Sequence, residues 1–285
     1  MRELEPDLRV ILAPNPSPMT GPGTNTYLLG QREIVIIDPG PEDARHLAAI
    51  RAAIGGADVA GVLVTHAHLD HSPLARAFDA PVHAFGDARA GRSARMAGLG
   101  EAAGGGEGVD AAFRPDHWLG DGEELVLGDE RIRAIWTPGH FGNHLCFAWR
   151  GAVFSGDHVM GWSSTFVSPP DGDIGAYMRA LDRLEGEGAR VLYAGHGDPV
   201  TEPGARIAAL RAHRLGREAA ILQALADGAR SVAEIVAVVY ADVPVAMHGA
   251  AARNVFAHLI DLEGRGRVVA RPALGVDARY ELCFT

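Results

Sequence analysis

The sequence predicts an α/β domain over residues 1–203, followed by a small winged-helix-like domain over residues 204–285. Across the first two hundred residues, short apolar runs bounded by Gly, Pro, Asp or Asn alternate with segments of helical periodicity. After Pro203 the pattern changes to three helical segments followed by a glycine-containing hairpin pattern. These two observations indicate two structural units of different class.

Eight apolar runs in the first unit have the length and composition of strands. They are residues 27–29, 34–37, 59–64, 124–127, 132–136, 145–148, 152–154 and 191–193. Helices are predicted over residues 42–53, 72–78 and 174–185. The segment 86–113 has few strand formers and a run of glycines, so we expect a surface insertion that is either an active-site cover or a plain linker.

Residues 205–226, 231–240 and 248–263 are each predicted to be helical. Ser231 with Glu234 three positions later is the pattern of a capping box, which marks the start of the second helix. A glycine-rich turn then separates two short strand patterns, as expected for a hairpin. Three helices and a hairpin are typical of a winged-helix module.

Composition and charge indicate a globular protein and disfavour a nucleic-acid-binding one. The 285-residue chain is 47% hydrophobic and 22% charged, which is ordinary for a globular protein. It has 26 basic residues, all of them arginine, and 36 acidic residues, which gives a formal charge of −10. This acidity disfavours non-specific nucleic-acid binding, and arginine without lysine in an Ala- and Gly-rich chain suggests a bacterial source.

We expect a cytoplasmic location. The N-terminal residues 1–7 are charged where a secretory signal would be apolar, and no run approaches the length of a membrane-spanning helix. Two cysteines, Cys146 and Cys283, are too few for a disulfide framework.

Residues 65–71, Thr-His-Ala-His-Leu-Asp-His, directly follow a predicted strand. In a loop that turns from a strand into a helix, His66 and His68 can share one metal ion while Asp70 and His71 face another. Imidazole and carboxylate donors favour zinc, with iron or manganese as alternatives. Taken alone, this loop suits a structural zinc site as well as a catalytic one.

Three further segments place a polar residue after glycine at the end of a predicted strand. They are Thr137-Pro-Gly-His140, Ser155-Gly-Asp157 and Ala194-Gly-His196. Glycine permits close approach of the backbone to a ligand, so His140, Asp157 and His196 are candidates to complete the set. Four such segments favour a dinuclear catalytic metal site over a structural one.

Together these motifs resemble the metallo-β-lactamase superfamily, whose fold is an αββα sandwich. The resemblance implies one zinc ion on His66, His68 and His140, a second on Asp70, His71 and His196, and Asp157 as the bridge. It also implies that Asp38, at a strand end, supports the ligands. Residues 15–27, residues 168–173 and the C-terminal module further resemble the β-lactamase-like protein 2 group, whose animal homologue cleaves single-stranded RNA.

The resemblance implies hydrolysis by a hydroxide that bridges two zinc ions about 3.5–4 Å apart. Asp70 is the expected catalytic residue that orients this nucleophile and transfers its proton. The leading substrate is a small ester, thioester or lactone, and the alternative is single-stranded RNA. RNA would need a basic groove with aromatic side chains on which bases stack. Trp162 and Phe166, with Arg179 nearby, are candidates to form such a groove. Alternatively, the two aromatic side chains only pack the loop.

Two interpretations stay open for His144: a contact to the ligands or substrate at the mouth of the site, or a packed histidine at a strand start. A DNA-binding regulator is disfavoured, because residues 201–285 carry ten arginines against nine acids. The C-terminal module is instead expected to cover the active site or to form a homodimer interface.

Overall fold

The computed structural model describes residues 1–283, apart from the side chains of residues 101 and 102. The strands are β1 (Arg2–Glu5), β2 (Leu8–Leu12), β3 (Asn25–Leu29), β4 (Glu33–Ile37), β5 (Asp58–Leu63), β6 (Val82–Ala84), β7 (His117–Trp118), β8 (Glu124–Leu127), β9 (Glu130–Trp136), β10 (Leu145–Trp149), β11 (Ala152–Gly156), β12 (Val191–Ala194), β13 (Arg230–Ser231), β14 (Val268–Arg271) and β15 (Arg279–Leu282). The helices are α1 (Ala44–Ile54), α2 (Ala94–Gly98), α3 (Ile174–Gly186), α4 (Pro203–Ala224), α5 (Val232–Val239) and α6 (His248–Gly264). Within the described residues, no helix is both long and apolar enough to cross a membrane.

Two mixed sheets form the first unit. The larger sheet runs β1-β2-β3-β4-β5-β6-β7, antiparallel up to β4 and parallel from β4 onward. The smaller runs β12-β11-β10-β9-β8, and only its β11–β12 pair is parallel. Parallel pairs bring strand ends, and the loops that follow them, to one edge of a sheet.

Apolar side chains arrange these sheets as the inner layers of an αββα sandwich. Leu29 and Ile37 of the larger sheet pack against Phe147 and Phe154 of the smaller one. On the outer face of the larger sheet, Ile50 of α1 joins a second cluster. Helices α3 and α4 cover the outer face of the smaller sheet. The fold implied by the sequence resemblance is therefore confirmed.

The C-terminal module has a core of its own. Ile235 of α5 and Phe256 of α6 pack with Tyr280 of β15 in this core. The capping box is present: the Ser231 hydroxyl accepts from the Glu234 amide, and the Glu234 carboxylate accepts from the Ser231 amide. The winged-helix prediction is confirmed, with β13, β15 and β14 as its sheet. Helix α4 contributes to this core near its end and to the sandwich near its start, so it links both units.

The eight predicted strands are all present, but other predictions were wrong. The helix predicted over 72–78 is only a 3-10 turn, Pro73–Ala77. The edge strand β1 was missed because its sequence, Arg-Glu-Leu-Glu, lacks an apolar run. The segment 86–113 is not a plain surface insertion, since α2 lies within it and buries Met96 in the C-terminal core.

Candidate metal centre

Four strand ends bring the predicted ligands together at one edge of the sandwich. Residues 65–71 follow β5, His140 follows β9, Asp157 follows β11 and His196 follows β12. Their donor atoms form three overlapping groups in which every donor lies within 4.8 Å of the others. The groups are His66, His68 and His140; His66, His71 and Asp157; and Asp70, His71 and His196.

The first half of the cluster consists of imidazole nitrogens. His66 Nε2 lies 2.8 Å from His68 Nδ1, and His140 Nε2 lies 3.1 Å from the same atom. The three rings meet edge to face, with centroids 4.6 to 4.9 Å apart. Three nitrogens that converge on one point form a nitrogen-only face of the kind zinc prefers.

The second half combines imidazoles with carboxylates. Asp70 Oδ2 lies 3.4 Å from His71 Nε2 and 3.2 Å from His196 Nε2. Asp157 lies between the halves: its Oδ2 is 3.2 Å from His196 Nε2 and 3.8 Å from His140 Nε2. The structure therefore brings all seven predicted ligands into one cluster.

Burial and charge divide the cluster electrostatically. In the first half, burial and the neighbouring imidazoles hold the pKa of His66 well below its usual range, and burial with the charge of His140 lowers the pKa of His68 to about 3. Both rings are consequently neutral, with a lone pair available to a metal ion.

In the second half, burial opposes protonation, but the carboxylates of Asp70 and Asp157 raise the pKa of His71 well above its usual range. Burial also opposes protonation of His196, but the Asp157 carboxylate raises the pKa of His196 to about 9. The carboxylates thus impose a local negative charge that a divalent cation would balance, with release of the imidazole protons.

The side chains present fit a pair of metal ions. His71 Nε2 and Asp157 Oδ1 are among the described buried polar atoms that have no hydrogen-bond partner, and both face the cluster. An unpaired buried polar atom is costly, and coordination would satisfy both. Imidazole and carboxylate donors in this proportion match zinc, and also iron or manganese.

Asp38 lies behind the ligands. Its Oδ2 accepts hydrogen bonds from His71 Nδ1 at 2.9 Å and from Thr65 Oγ1 at 2.7 Å, and its Oδ1 accepts from Thr65 N at 2.7 Å. These bonds orient the His71 ring so that Nε2 faces the cluster.

His144 is fully buried, so it does not contact substrate at the mouth of the site but lies behind the proposed ligands. Its Nδ1 lies 2.9 Å from Thr137 Oγ1, and its Nε2 accepts from the Asp157 amide at 3.3 Å. His144 therefore packs beneath Asp157 and supports that residue's backbone.

The three residues predicted for a stacking groove lie in different surroundings. Trp162 is 44% exposed and packs on Gly21 and on Gly197, the residue after His196. Phe166 is half-buried. Arg179 instead lines a separate cavity of about 520 Å³, beside Phe85 and Trp136.

Two supporting residues were not found from the sequence. Thr24 Oγ1 donates to Asp70 Oδ2 at 3.3 Å. Its position within the segment 15–27 was the available signal. His158 is fully buried against Tyr177, and its place directly after Asp157 was the signal there.

The chain is similar to known proteins in both of its units. The family model of the metallo-beta-lactamase superfamily matches residues 19–196, and that of the beta-lactamase associated winged helix domain matches residues 231–273. A beta-lactamase-like protein 2 homolog of Drosophila melanogaster is 30% identical over 90% of this chain and 88% of its own length. An atrochrysone carboxyl ACP thioesterase of Aspergillus chevalieri is 30% identical over 86% of this chain and 76% of its own.

Among solved structures, a metallo-beta-lactamase family protein of Thermus thermophilus superposes with a TM-score of 0.79. It is 29% identical, and the match covers 98% of this chain and 99% of that chain. The likeness therefore extends over both units of the molecule.

Proposed function

Because the chain belongs to the metallo-β-lactamase superfamily of metal-dependent hydrolases, we propose that it is a dinuclear zinc enzyme that hydrolyses an ester, thioester or lactone. The observation that carries the proposal is two three-donor groups that are linked by a third group, His66, His71 and Asp157. In this assignment one ion is held by the three imidazoles of the first half, and the second by Asp70, His71 and His196. Asp157 is the shared ligand.

When bound, the metal ions supply Lewis acidity, which polarises the bond to be cleaved and lowers the pKa of water toward neutrality. Asp70 is the proposed proton carrier because its side chain is 26% exposed, against 10% for Asp157. Thr24 and His196 hold its Oδ2 in place. In thioester hydrolysis the water oxygen bonds to the acyl carbon, the C–S bond breaks, and Asp70 passes the proton from water to the departing sulfur.

Three observations support an acyl substrate over RNA. The Aspergillus relative is named as a thioesterase. The exposed aromatic Trp162 and the exposed Leu69, next to Asp70, offer apolar surface to an acyl chain. Arg206 reaches the loop that carries Trp162, but its guanidinium is used by the carbonyls of Met160 and Ser163. RNA binding would need cations free for phosphates.

We further propose that residues 1–203 form the catalytic unit and residues 204–285 the winged-helix unit, with DNA binding disfavoured by the charge balance. The matched ranges 19–196 and 231–273 support this division. A cytoplasmic location and a homodimer stay predictions, which fractionation and sedimentation would test. Free Cys146 and Cys283 suit a reducing compartment.

The deciding experiment compares the zinc-loaded protein with its Asp70→Asn variant on a panel of an acyl thioester, an aryl ester, a lactone and a fluorescent single-stranded RNA. We expect the wild type to cleave at least one acyl substrate and Asp70→Asn to lose roughly 100-fold or more in turnover. Metal content is measured in both proteins.

If the wild type cleaves only the RNA and the variant cleaves nothing, the proposed acyl substrate would have to be replaced by RNA. An Asp70→Asn variant that keeps both its zinc and its turnover would remove Asp70 from the proton-transfer role. Asp79→Asn, a change outside the cluster, is the control and should behave as wild type.

A further inference from the structure

The loop between Asp157 and α3, residues 158–173, is held from the C-terminal side of the molecule. Arg206 of α4 donates from Nε to the carbonyl of Met160 at 2.6 Å and from Nη2 to that of Ser163 at 2.5 Å. Arg253 of α6 donates to Ser168 Oγ at 2.8 Å and also to the carbonyl of Pro169. Both ends of the loop are therefore bound to these two helices.

The middle of the loop is held by two buried side chains. Arg214 of α4 donates to the carbonyl of Thr165 and, at 3.0 Å, to Asn254 Oδ1 of α6. The same Asn254 oxygen accepts from the amide of Val167 at 3.3 Å. The backbone on both sides of Phe166 is thus held, by the carbonyl of Thr165 and the amide of Val167.

This stretch of loop contacts two of the proposed metal ligands. Thr165 Oγ1 is within 2.8 Å of the carbonyl of Asp157 and 2.9 Å of that of His158. The carbonyl of Phe166 accepts from His140 Nδ1 at 2.6 Å, which leaves His140 Nε2 facing His68. A shift of residues 165 and 166 would therefore move His140 of the first half and Asp157, which lies between the halves.

Stability alone does not account for Arg214. Its side chain is 2% exposed, and among the described residues no carboxylate lies within ion-pair distance. The ring of Tyr177 also lies near the side chain, 5.4 Å from the guanidinium carbon. Burial lowers the pKa of Arg214. A buried cation of this kind costs free energy that an apolar side chain of similar volume would not.

We infer that Arg214, together with Asn254, is a positioning residue of the metal centre: through Thr165 and Phe166 it sets the placement of Asp157 and the ring orientation of His140. The winged-helix side of the molecule is thereby part of the construction of the active site. The inference rests on the proposed dinuclear site. Hydrogen-bond partners one step behind metal ligands typically change metal affinity or activity by about 10- to 100-fold when removed.

The test measures zinc affinity by competition with a chelator, together with the visible absorption spectrum of the Co²⁺-substituted protein. The variants are Arg214→Met, Arg214→Lys and Thr165→Val, all measured well below their melting temperatures. We expect about 10- to 100-fold weaker zinc binding and an altered cobalt spectrum for Arg214→Met and Thr165→Val. Arg214→Lys, which keeps a donor, should recover part of the affinity.

Arg211→Met is the matched control, because Arg211 lies on the same helix and pairs with the exposed carboxylates of Asp182 and Glu185. It should bind zinc as the wild type does. Wild-type affinity and spectrum in Arg214→Met and Thr165→Val would overturn the inference, even if both melt at lower temperature. Should Arg214→Met fail to fold, Asn254→Leu decides, since it removes the oxygen that accepts from both Arg214 and the Val167 amide, and wild-type zinc affinity in that variant would overturn the inference. A wild-type protein that binds fewer than two ions would instead contradict the proposed function.

Discussion

Asp38 Oδ2 and His71 Nδ1 lie 2.9 Å apart in the interior, with 3% of the Asp38 side chain and none of the His71 side chain exposed. The same carboxylate holds Thr65, whose Oγ1 is 2.9 Å from His66 Nδ1. One buried carboxylate thus orients a ring in each half of the cluster. Asp38 adopts a left-handed backbone conformation, with φ of 50°, which Asn tolerates better than most residues.

Asp38→Asn is therefore expected to fold while weakening metal binding. The amide retains an acceptor for Thr65, but it cannot offer carboxylate oxygens to both Thr65 and His71. We expect zinc affinity to fall by about 10- to 100-fold, measured by chelator competition. Asp43→Asn, a change at the half-buried N-cap of α1, away from the cluster, should leave the affinity unchanged. Equal affinity in the wild type and Asp38→Asn would show that the His71 ring is oriented by its packing alone.

Gly195 is required by the close approach of two ligands. A Cβ at this position would lie 2.4 Å from Asp157 Oδ1 and 2.8 Å from His71 Cε1. Gly195→Ala should consequently displace one ligand and lower bound zinc below two ions per chain, as measured by elemental analysis after dialysis. Gly204→Ala introduces a Cβ with no atom within 4 Å and should retain the wild-type content. Two tightly bound ions in Gly195→Ala would contradict the close packing described here.

Local patterns predicted the eight strands and the candidate ligand cluster because each signal lies within a few residues. Strand 124–127 and the Ser231 capping box are encoded in consecutive positions, and THAHLDH carries four candidate ligands in seven residues. Arg214 and Thr165 are 49 positions apart, and no spacing rule connects them. The support of His140 and Asp157 depends on how α4 and α6 pack, so it becomes visible only in three dimensions.

The two sheets are also joined by an ion pair with a defined pH dependence. Glu5 of β1 accepts from both terminal nitrogens of Arg190, at 2.7 and 2.6 Å, and from the Tyr193 hydroxyl. The hydrogen bonds from Arg190, opposed by burial and aided by Tyr193, lower the pKa of Glu5. A carboxyl group whose pKa is lowered by folding stabilises the protein above its unfolded pKa, and this contribution is lost as pH falls through the folded pKa.

Glu5→Gln should therefore destabilise the protein at pH 7 by on the order of 1 kcal/mol. The difference from wild type should shrink as pH falls below the usual pKa of Glu, and urea unfolding at pH 7, 5 and 4 measures it. Glu3→Gln, an exposed change on the same strand, should show a much smaller difference. A destabilisation in Glu5→Gln that is the same at every pH would mean that packing, rather than charge, accounts for the contribution of Glu5.

We predict that Trp162 contacts the substrate rather than the metal ions. It packs on Gly197, beside His196, yet 44% of its surface faces solvent at the mouth of the site. For an acyl substrate, Trp162→Ala should raise KM about tenfold with a smaller change in kcat, since a lost apolar contact of about 1.4 kcal/mol corresponds to that factor. Steady-state kinetics on the substrate found by the panel measures both constants.

Trp118→Ala removes another exposed tryptophan, on β7, and should leave both constants unchanged. A fall in kcat at constant KM would show instead that Trp162 acts by holding His196 in place.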